Sequence, residues 1–281
     1  MKLFWCETYK TFSRWRTYIS FSAIAIVIIV SEIVMKLSAS EILFRMMKIF
    51  QKDFLISGNV LNGWFITGFI MNSLHIHIPF LITLVAGDMV SGEATSGTVR
   101  LLLIRPPSRG KIITAKYLTA LFYTAGLVLF FAGMCTFLGL ALFGTGDLIV
   151  HHYGKFGIVL IPEAQIPLRM LLAFAAAVWS MTVVASLAFL FSALAENSVG
   201  PIIGSMAVVI VFFVFGNLPL DFFRSLKPYL FTTYMMNLWQ QFLNSPIPWH
   251  EIGRSALILG LHNACLFLIA FLTFRRKDIK S

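Results

Sequence analysis

Ionisable side chains collect between residues 87 and 116, in a chain that otherwise contains few of them. The charged residues of this segment are Asp88, Glu93, Arg100, Arg105, Arg109, Lys111 and Lys116. Between Arg100 and Arg105 lies an apolar turn, Leu101 to Ile104. An apolar centre to bury, with charges at its rim to orient it, is what a contact between proteins requires. The chemistry that this segment predicts is therefore the binding of a partner protein.

Turn residues divide the same segment. Pro106 and Pro107 follow the apolar turn, and prolines inside a helix remove a hydrogen bond and clash with the preceding turn. Thr98 is placed to cap the apolar turn, and Ser108 to cap the helix that follows. We therefore expect one or two short helices with turns rather than one continuous helix.

Eight residues of the segment follow the pattern E-x3-G-T-x3-L-x3-P-x-S-R-x6-K: Glu93, Gly97, Thr98, Leu102, Pro106, Ser108, Arg109 and Lys116. This pattern resembles the cytoplasmic loop by which membrane subunits of ATP-binding-cassette (ABC) transporters of the type-2 export class meet their ATPase. Residues 5–10 (WCETYK) and 274–279 (FRRKDI) also resemble the termini of that class.

The resemblance implies a permease that works with separate ATPase subunits, two copies of each. It implies that ATP and magnesium bind to the partner, with no cofactor on this chain. The residues that it assigns to the contact with the ATPase are Glu93, Gly97, Thr98, Arg100, Leu101, Leu102, Leu103, Pro106, Ser108 and Arg109. We expect Glu93→Ala to abolish transport in a folded protein. The competing interpretation is an exposed Glu93 paired with Arg100 or Arg105, which would be worth roughly 0 to 1 kcal/mol.

Catalytic and nucleotide-binding motifs do not occur in the sequence. Gly110-Lys111 and Gly154-Lys155 lack the upstream glycine and the following Ser or Thr of a phosphate-binding loop. The pair His250-Glu251 is followed by Arg254 where a zinc protease needs its second histidine. If ATP is used, another chain must bind it, and we predict no catalytic residue here.

The histidines and cysteines give weaker signals. His75 and His77 are two residues apart, so on a helix they point about 200° away from each other and do not share a metal ion. We interpret them as packing or interhelical hydrogen-bonding groups, with a polar transport path as the alternative. The loop pair His151-His152 leaves a metal site open. The cysteines form no Cys-x-x-Cys pair.

Composition places the chain in a membrane. It is 58% hydrophobic and 12% charged, with a mean hydropathy of +0.85, whereas soluble proteins are roughly 45–50% apolar and 25% charged. The formal charge of +10 comes from basic residues at the ends of apolar runs, which suits lipid headgroups and not nucleic acid. The basic start before the first run also fits a signal peptide, but we interpret that run as a membrane anchor because five more follow.

We predict an all-α polytopic membrane protein with six transmembrane helices in a single transmembrane domain, residues 1–281. Residues 1–16 are predicted as an interfacial helix, or else as a continuation of the first span. The six predicted spans are about residues 17–35, 64–87, 117–143, 170–195, 199–218 and 255–274, with a coupling loop at 88–116 and external segments at 36–63, 144–169 and 219–254. Glu32 is expected to extend to the outer interface, and Glu196 to lie in a tight turn between two spans. Glycines at 126, 133 and 139 are expected to allow close helix packing.

Basic residues predict the orientation. Residues 1–16 hold four of them, the coupling loop five and the C-terminal tail four, all beside spans. By the positive-inside rule both termini and the loop are cytoplasmic, in a cell membrane that we expect to be the bacterial plasma or inner membrane. Two such chains, or one with a close relative, would place uncharged helices at their midline, which suits an amphipathic or lipid-like substrate. The alternative function is a polytopic membrane protein that does not transport, such as a regulatory or structural partner or a lipid-modifying enzyme.

Overall fold

A computed structural model of the protein describes residues 2–39, 41, 61–73, 77–95, 108–151, 158–218 and 225–276. These residues are predominantly helical, which confirms the all-α class. The helices are α1 (Lys2–Phe12), α2 (Trp15–Leu37), α3 (Gly63–Ser73), α4 (His77–Ala86), α5 (Ser91–Thr95), α6 (Arg109–Phe143), α7 (Ile166–Leu194), α8 (Val199–Asn217), α9 (Phe231–Asn237) and α10 (Trp249–Arg276). Short 3-10 turns cover Glu163–Gln165, Lys227–Tyr229 and Gln240–Leu243.

Five helices in the described ranges are long and apolar enough to cross a membrane: α2, α6, α7 with its preceding 3-10 turn, α8 and α10. The predicted span 64–87 consists of two helices, α3 and α4, whose axes differ by 59°. Taken as one span, α3 and α4 are also long and apolar enough to cross a membrane, which brings the number of candidate spans among the described residues to six. Pro79 is the third residue of α4, where a missing backbone N–H is tolerated because the first turn has no intrahelical partner for it.

Helix α6 begins eight residues before the predicted span, so part of the predicted coupling loop is helical. It has 35 residues, which at 1.5 Å per residue gives about 52 Å against the roughly 30 Å of a hydrocarbon core. The extra turns carry Arg109, Lys111 and Lys116. Lys116 therefore lies on a spanning helix and not in a loop.

Helices α1 and α2 are separate, so the interpretation of α1 as a continuation of the first span is wrong. The chain turns at Ser13 and Arg14, where Arg14 has an extended backbone (φ −92°, ψ 135°). Helix α1 packs on α6, with Thr8 Oγ1 3.4 Å from Thr119 Oγ1. Trp5 and Tyr9 on its other face are exposed, which leaves them available to a membrane interface.

Helix α7 is the centre of the bundle. In its most apolar stretch 61% of the residues are buried, against 22% in α2 and α10 and 17% in α8. It packs against α4, α6, α8 and α10. A buried hydrogen-bond chain holds three of these helices together: Tyr117 and Ser186 hydroxyls are 2.9 Å apart, and Asn263 bonds to Ser186 at 2.7 Å and to Thr182 at 2.7 Å. Most of the apolar stretches of α2, α8 and α10 are therefore not buried inside the bundle.

The bundle has two distinguishable ends. The first, which we call the charged end, contains α1, α5, the start of α6, the α7–α8 turn and the last turn of α10. There Arg109 Nη1 of α6 is 3.5 Å from the Arg275 carbonyl oxygen of α10. At the second, the hairpin end, Arg169 donates to the Asn244 carbonyl at 2.8 Å and Asn62 to the Asp147 carbonyl at 2.6 Å. The first and last described helices therefore both reach the charged end.

A short β-hairpin lies in the predicted external segment 144–169. Strand β1 (Leu148–His151) pairs antiparallel with β2 (Ile158–Ile161), with Leu148 opposite Ile161. Both of these side chains are buried. The hairpin is absent from the elements predicted above. His151 is the last residue of β1, while His152 and His75 lie outside the described residues, and His77 is exposed at the start of α4.

Two polar expectations have clear outcomes. The turn at Glu196 is present: α7 ends at Leu194, α8 begins at Val199, and the Asn197 side chain accepts the Gly200 N–H at 2.8 Å. The predicted extension of Glu32 to the interface is wrong, because its side chain is fully buried inside the bundle. Glu32 shares one helix face with Ile24 and Ile28, and that face packs inward.

Only one of the three glycines expected on α6 is at a close helix contact. A Cβ on Gly63 of α3 would lie 2.5 Å from the Gly139 backbone, whereas a Cβ on Gly126 or Gly133 would have no heavy atom within 4 Å. Close packing of α3 on α6 therefore depends on Gly63 and Gly139 and not on the other two glycines.

We predict that Gly63→Ala lowers the melting temperature of the purified protein, because the backbones of α3 and α6 must move apart. Gly133→Ala is the matched control on the facing helix. It should be neutral or stabilising, since alanine favours a helix by up to about 1 kcal/mol over glycine. Thermal unfolding in detergent measures both. Equal melting temperatures for the two variants would show that the contact at Gly63 is not tight.

Candidate functional site

The sequence-predicted site is only partly described. Glu93, Ser108 and Arg109 lie within the described residues. The remaining predicted contact residues lie outside them: Gly97, Thr98, Arg100, Leu101, Leu102, Leu103 and Pro106. Ser108 is exposed just before α6, and Arg109 begins that helix. The geometry of the site is therefore built around Glu93.

Glu93 is buried at the charged end and paired with two lysines. It lies on α5, with 2% of its surface exposed. Lys116 Nζ of α6 is 2.6 Å from Glu93 Oε1, and Lys10 of α1 bonds to the same oxygen. The interpretation of Glu93 as an exposed surface charge is therefore wrong. Lys10 comes from a helix that precedes the predicted loop, whereas Lys116 is the last residue of that loop.

Lys116 joins a second carboxylate to this cluster. Its Nζ is 2.7 Å from Glu7 Oε2 of α1 and 3.4 Å from the Met89 carbonyl oxygen. Lys116 is 2% exposed and Glu7 is also buried. An ammonium group removed from water needs anionic partners close by, and here two carboxylates supply them. We call Glu7, Lys10, Glu93 and Lys116 the ionic cluster.

Asp88 forms a neighbouring set of ion pairs. Its two carboxylate oxygens are 3.0 Å from Arg14 Nη1 and 2.9 Å from Arg16 Nη1. Both arginines lie at the junction of α1 and α2 and are partly or largely exposed. Because solvent screens such pairs, they are worth less than the ionic cluster. They attach the chain after α4 to the α1–α2 turn.

The sequence folds locally so that Glu93 points at these lysines. The backbone N–H groups of Val90 and Ser91 both donate to Ser192 Oγ of α7 at 3.0 Å, so a hydroxyl from another helix caps the start of α5. Thr95 at the end of α5 donates to the Glu196 carbonyl at 3.2 Å. A Cβ at Gly92 between them would lie 2.5 Å from Asp88 Oδ1, so a larger residue there would displace the Asp88 side chain.

The electrostatics favour an ionised Glu93. Burial alone would raise the pKa of its carboxyl group, but the charge of Lys116 and the hydrogen bonds from Lys10 and Lys116 outweigh burial and hold the pKa below its ordinary value. Glu93 therefore stays ionised at neutral pH. The stabilisation it gives is present above the ordinary pKa of a glutamate and is lost as the pH falls through the lowered value.

The ionic cluster is suited to holding helices together. A cavity of about 20 Å³ beside the cluster has room for about one water molecule. Within the described ranges no group of three or more His, Cys, Asp or Glu side chains is placed to hold a metal ion. Four charged side chains instead fix α1, α5 and α6 to one another.

Sequence reasoning found Glu93 but missed its partners. The quoted N-terminal stretch, residues 5–10, contains both Glu7 and Lys10, and the loop pattern ends at Lys116. Their meeting depends on α1 folding back along α6, which brings Lys10 to Glu93 from 83 positions away and Glu7 to Lys116 from 109. The available signal was an acidic residue within an otherwise basic and aromatic N-terminal helix.

We predict that Lys116→Ala lowers the free energy of unfolding by about 3–5 kcal/mol, because it leaves Glu7 and Glu93 buried without the ammonium between them. Lys111→Ala, an exposed position on the same helix, is the control and should change stability by no more than about 0.5 kcal/mol. The double variant Glu7→Gln/Lys116→Met should regain part of the unfolding free energy that Lys116→Ala loses. Denaturant or thermal unfolding checks all three, and equal stability of the Lys116 and Lys111 variants would contradict a buried cluster.

Comparison with known proteins adds a family. The family described as "Protein of unknown function (DUF2705)" matches residues 23–280. That range includes Asp88, Glu93 and Lys116, whereas Glu7 and Lys10 precede it. "Uncharacterized protein YhcI" from Bacillus subtilis (strain 168) is 30% identical over 241 residues, which cover 81% of this chain and 74% of that protein. Because the family match spans most of the chain, this protein belongs to the DUF2705 family.

Proposed function

We propose that this chain is the membrane-spanning permease subunit of an ABC transporter of the type-2 export class. A separate ATPase subunit would bind ATP and magnesium and drive the movement of a substrate across the membrane. The proposal is supported by the pattern from Glu93 to Lys116 and by the five to six apolar helices of a membrane-embedded protein. No observation on the described residues favours a lipid-modifying enzyme or a regulatory partner over this function.

The observation that carries the proposal is the attachment of Glu93. It is the first residue of the pattern, and residues 96–107, which contain the apolar turn, follow α5 directly. Through Lys10 and Lys116, α5 is tied to α1 and α6, and through Ser192 it is tied to α7. A force applied by an ATPase to the segment after α5 would therefore reach three helices of the bundle at once.

The basic residues of the charged end support a proposal for the orientation of the protein in the membrane. We propose that the charged end faces the cytoplasm, with α1 in the membrane interface and the hairpin end outside, in a cell membrane. The charged end carries Lys10, Arg14, Arg109, Lys111 and Arg275, which agrees with the excess of basic residues on cytoplasmic sides. If α3 and α4 are counted as one span, the six crossings would put both termini on that side, as the proposal requires.

The weakly buried apolar helices support a proposal for the assembly and the substrate. Helices α2, α8 and α10 bury little of their surface within one chain, and their exposed residues are mostly apolar. We propose that two copies, or this chain and a close relative, pair through such faces. An uncharged midline of this kind suits an amphipathic or lipid-like substrate better than an inorganic ion.

Cysteine labelling tests the orientation. In a cysteine-free background, we predict that Ser245→Cys at the hairpin end reacts with a membrane-impermeant maleimide in intact cells. Ser108→Cys at the charged end should react only after permeabilisation. Both serines are exposed, so access to solvent does not distinguish them. Labelling of both from the same side would exclude an arrangement in which the two ends face opposite sides.

ATPase coupling tests the function. We predict that this chain co-purifies with an ABC ATPase as a complex of two subunits of each kind and stimulates its ATP hydrolysis in liposomes. Glu93→Ala should abolish the stimulation, because it releases α5 from Lys10 and Lys116.

The control is Glu163→Ala, which removes an exposed carboxylate at the hairpin end and should leave the stimulation unchanged. Activities are compared per amount of folded protein measured by size-exclusion chromatography, because Glu93→Ala also breaks a buried ion pair. Equal stimulation by both variants would show that coupling does not pass through Glu93. If no ATPase co-purifies and none is stimulated, a membrane protein that does not transport becomes the better description.

A further inference from the structure

A carboxylate is sealed inside the membrane-spanning part of the bundle. The buried residues of α2 recur every three or four positions and so form one inward face: Thr17, Ser20, Ile24, Ile28 and Glu32. Glu32 is 0% exposed, and across the described residues neither of its carboxylate oxygens has a hydrogen-bond partner. Among the described residues, Glu32 therefore has no partner that would neutralise a negative charge.

Within the described ranges, the helices packed against α2 near Glu32 place no charged side chain beside it. The inward face of α2 packs mainly on α6, where the buried Cys135 lies close enough to interact electrostatically with Glu32. The carbonyl oxygen of Cys135 accepts a hydrogen bond from Thr67 Oγ1 of α3 at 3.3 Å. The described residues of α3 and α4 contribute no acidic residue, lysine or arginine, and the one histidine, His77, is exposed at the start of α4.

The basic group nearest to Glu32 in sequence is engaged elsewhere. Lys36 follows it by one helical turn, a spacing at which glutamate and lysine often pair. Its Nζ instead donates to the Leu142 carbonyl at the end of α6 and lies 5.1 Å from the centre of the Phe143 ring. The lysine thus binds the C-terminal end of α6, and the carboxyl group is left to the interior.

An unpaired ionised carboxylate in apolar surroundings is strongly disfavoured, whereas the neutral acid is far less costly to bury. We propose that Glu32 is a proton-binding site, and that its bound proton stabilises the packing of α2 against α6. Loss of the proton creates a charge that needs water or a cation such as Lys36, and we expect the contact of α2 with α6 to open so that either can reach it. Proton occupancy and closure of the α2–α6 contact are therefore linked. This inference goes beyond the transport function and does not depend on it.

Infrared spectroscopy tests the protonation directly. The spectrum of wild-type protein in lipid at pH 7, minus that of Glu32→Gln, is expected to contain the carbonyl band of a protonated carboxylic acid, which shifts in deuterated water. The matched control, Glu163→Gln, should remove carboxylate bands instead, because Glu163 is exposed. Carboxylate bands in the Glu32 difference spectrum would overturn the proposal. If the variant does not fold, absence of any protonated-acid band from the wild-type spectrum also overturns it.

Stability against pH tests the linkage. Glutamine has nearly the shape of the neutral acid but does not ionise. A glutamate that must stay protonated in the folded state stabilises less as the pH rises, because the unfolded chain releases that proton freely. The melting temperature of Glu32→Gln relative to wild type should therefore increase with pH above the ordinary range of a glutamate. Glu163→Gln should follow wild type throughout. A Glu32→Gln difference that is constant or falls with pH would overturn the proposal.

Discussion

The burial of the Lys116 ammonium group is the constraint on which the charged end depends. An amine is not held away from water without anions beside it, and Lys116 obtains them from α1 and from α5. Each of these helices is short, and α5 has only five residues, too few to be stable alone. Their positions follow from what they bind. The N-terminal helix thereby becomes part of the bundle, with Trp5 and Tyr9 turned outward and Phe4 and Phe12 packed on α6.

The apolar helices of the bundle are held together by uncharged groups instead. They contact one another through apolar side chains, one close glycine contact and a few hydroxyl and amide groups whose hydrogen bonds are made internally. Helix α7 is central because its small residues, many of them alanine and serine, let several helices approach it. Glu32 is the exception. Its carboxyl group is buried without a hydrogen-bond partner among the described residues.

Helix α6 connects the two regions. It begins at the charged end, carries Lys116 near its start, passes Cys135 beside Glu32, and ends where Lys36 meets the Leu142 carbonyl. A continuous helix without proline can curve gently but has few points at which it would kink sharply, so we expect it to transmit movement along its length. Displacement at the ionic cluster would therefore be felt at the hairpin end, which is the property that a permease driven from one side requires.

The sequence alone determined the membrane class, the approximate positions of the apolar helices and the turn at Glu196, because hydropathy and turn propensity are properties of neighbouring residues. It also singled out Glu93. The tertiary structure decided the partners of Glu93, the inward direction of Glu32, the bend between α3 and α4 and the β1–β2 hairpin. Ion pairs between residues 83 or 109 positions apart depend on which helix faces pack together, and charge patterns along the chain do not encode that pairing. Likewise, a glutamate near the end of an apolar run has the same sequence signature whether it points to water or into the bundle.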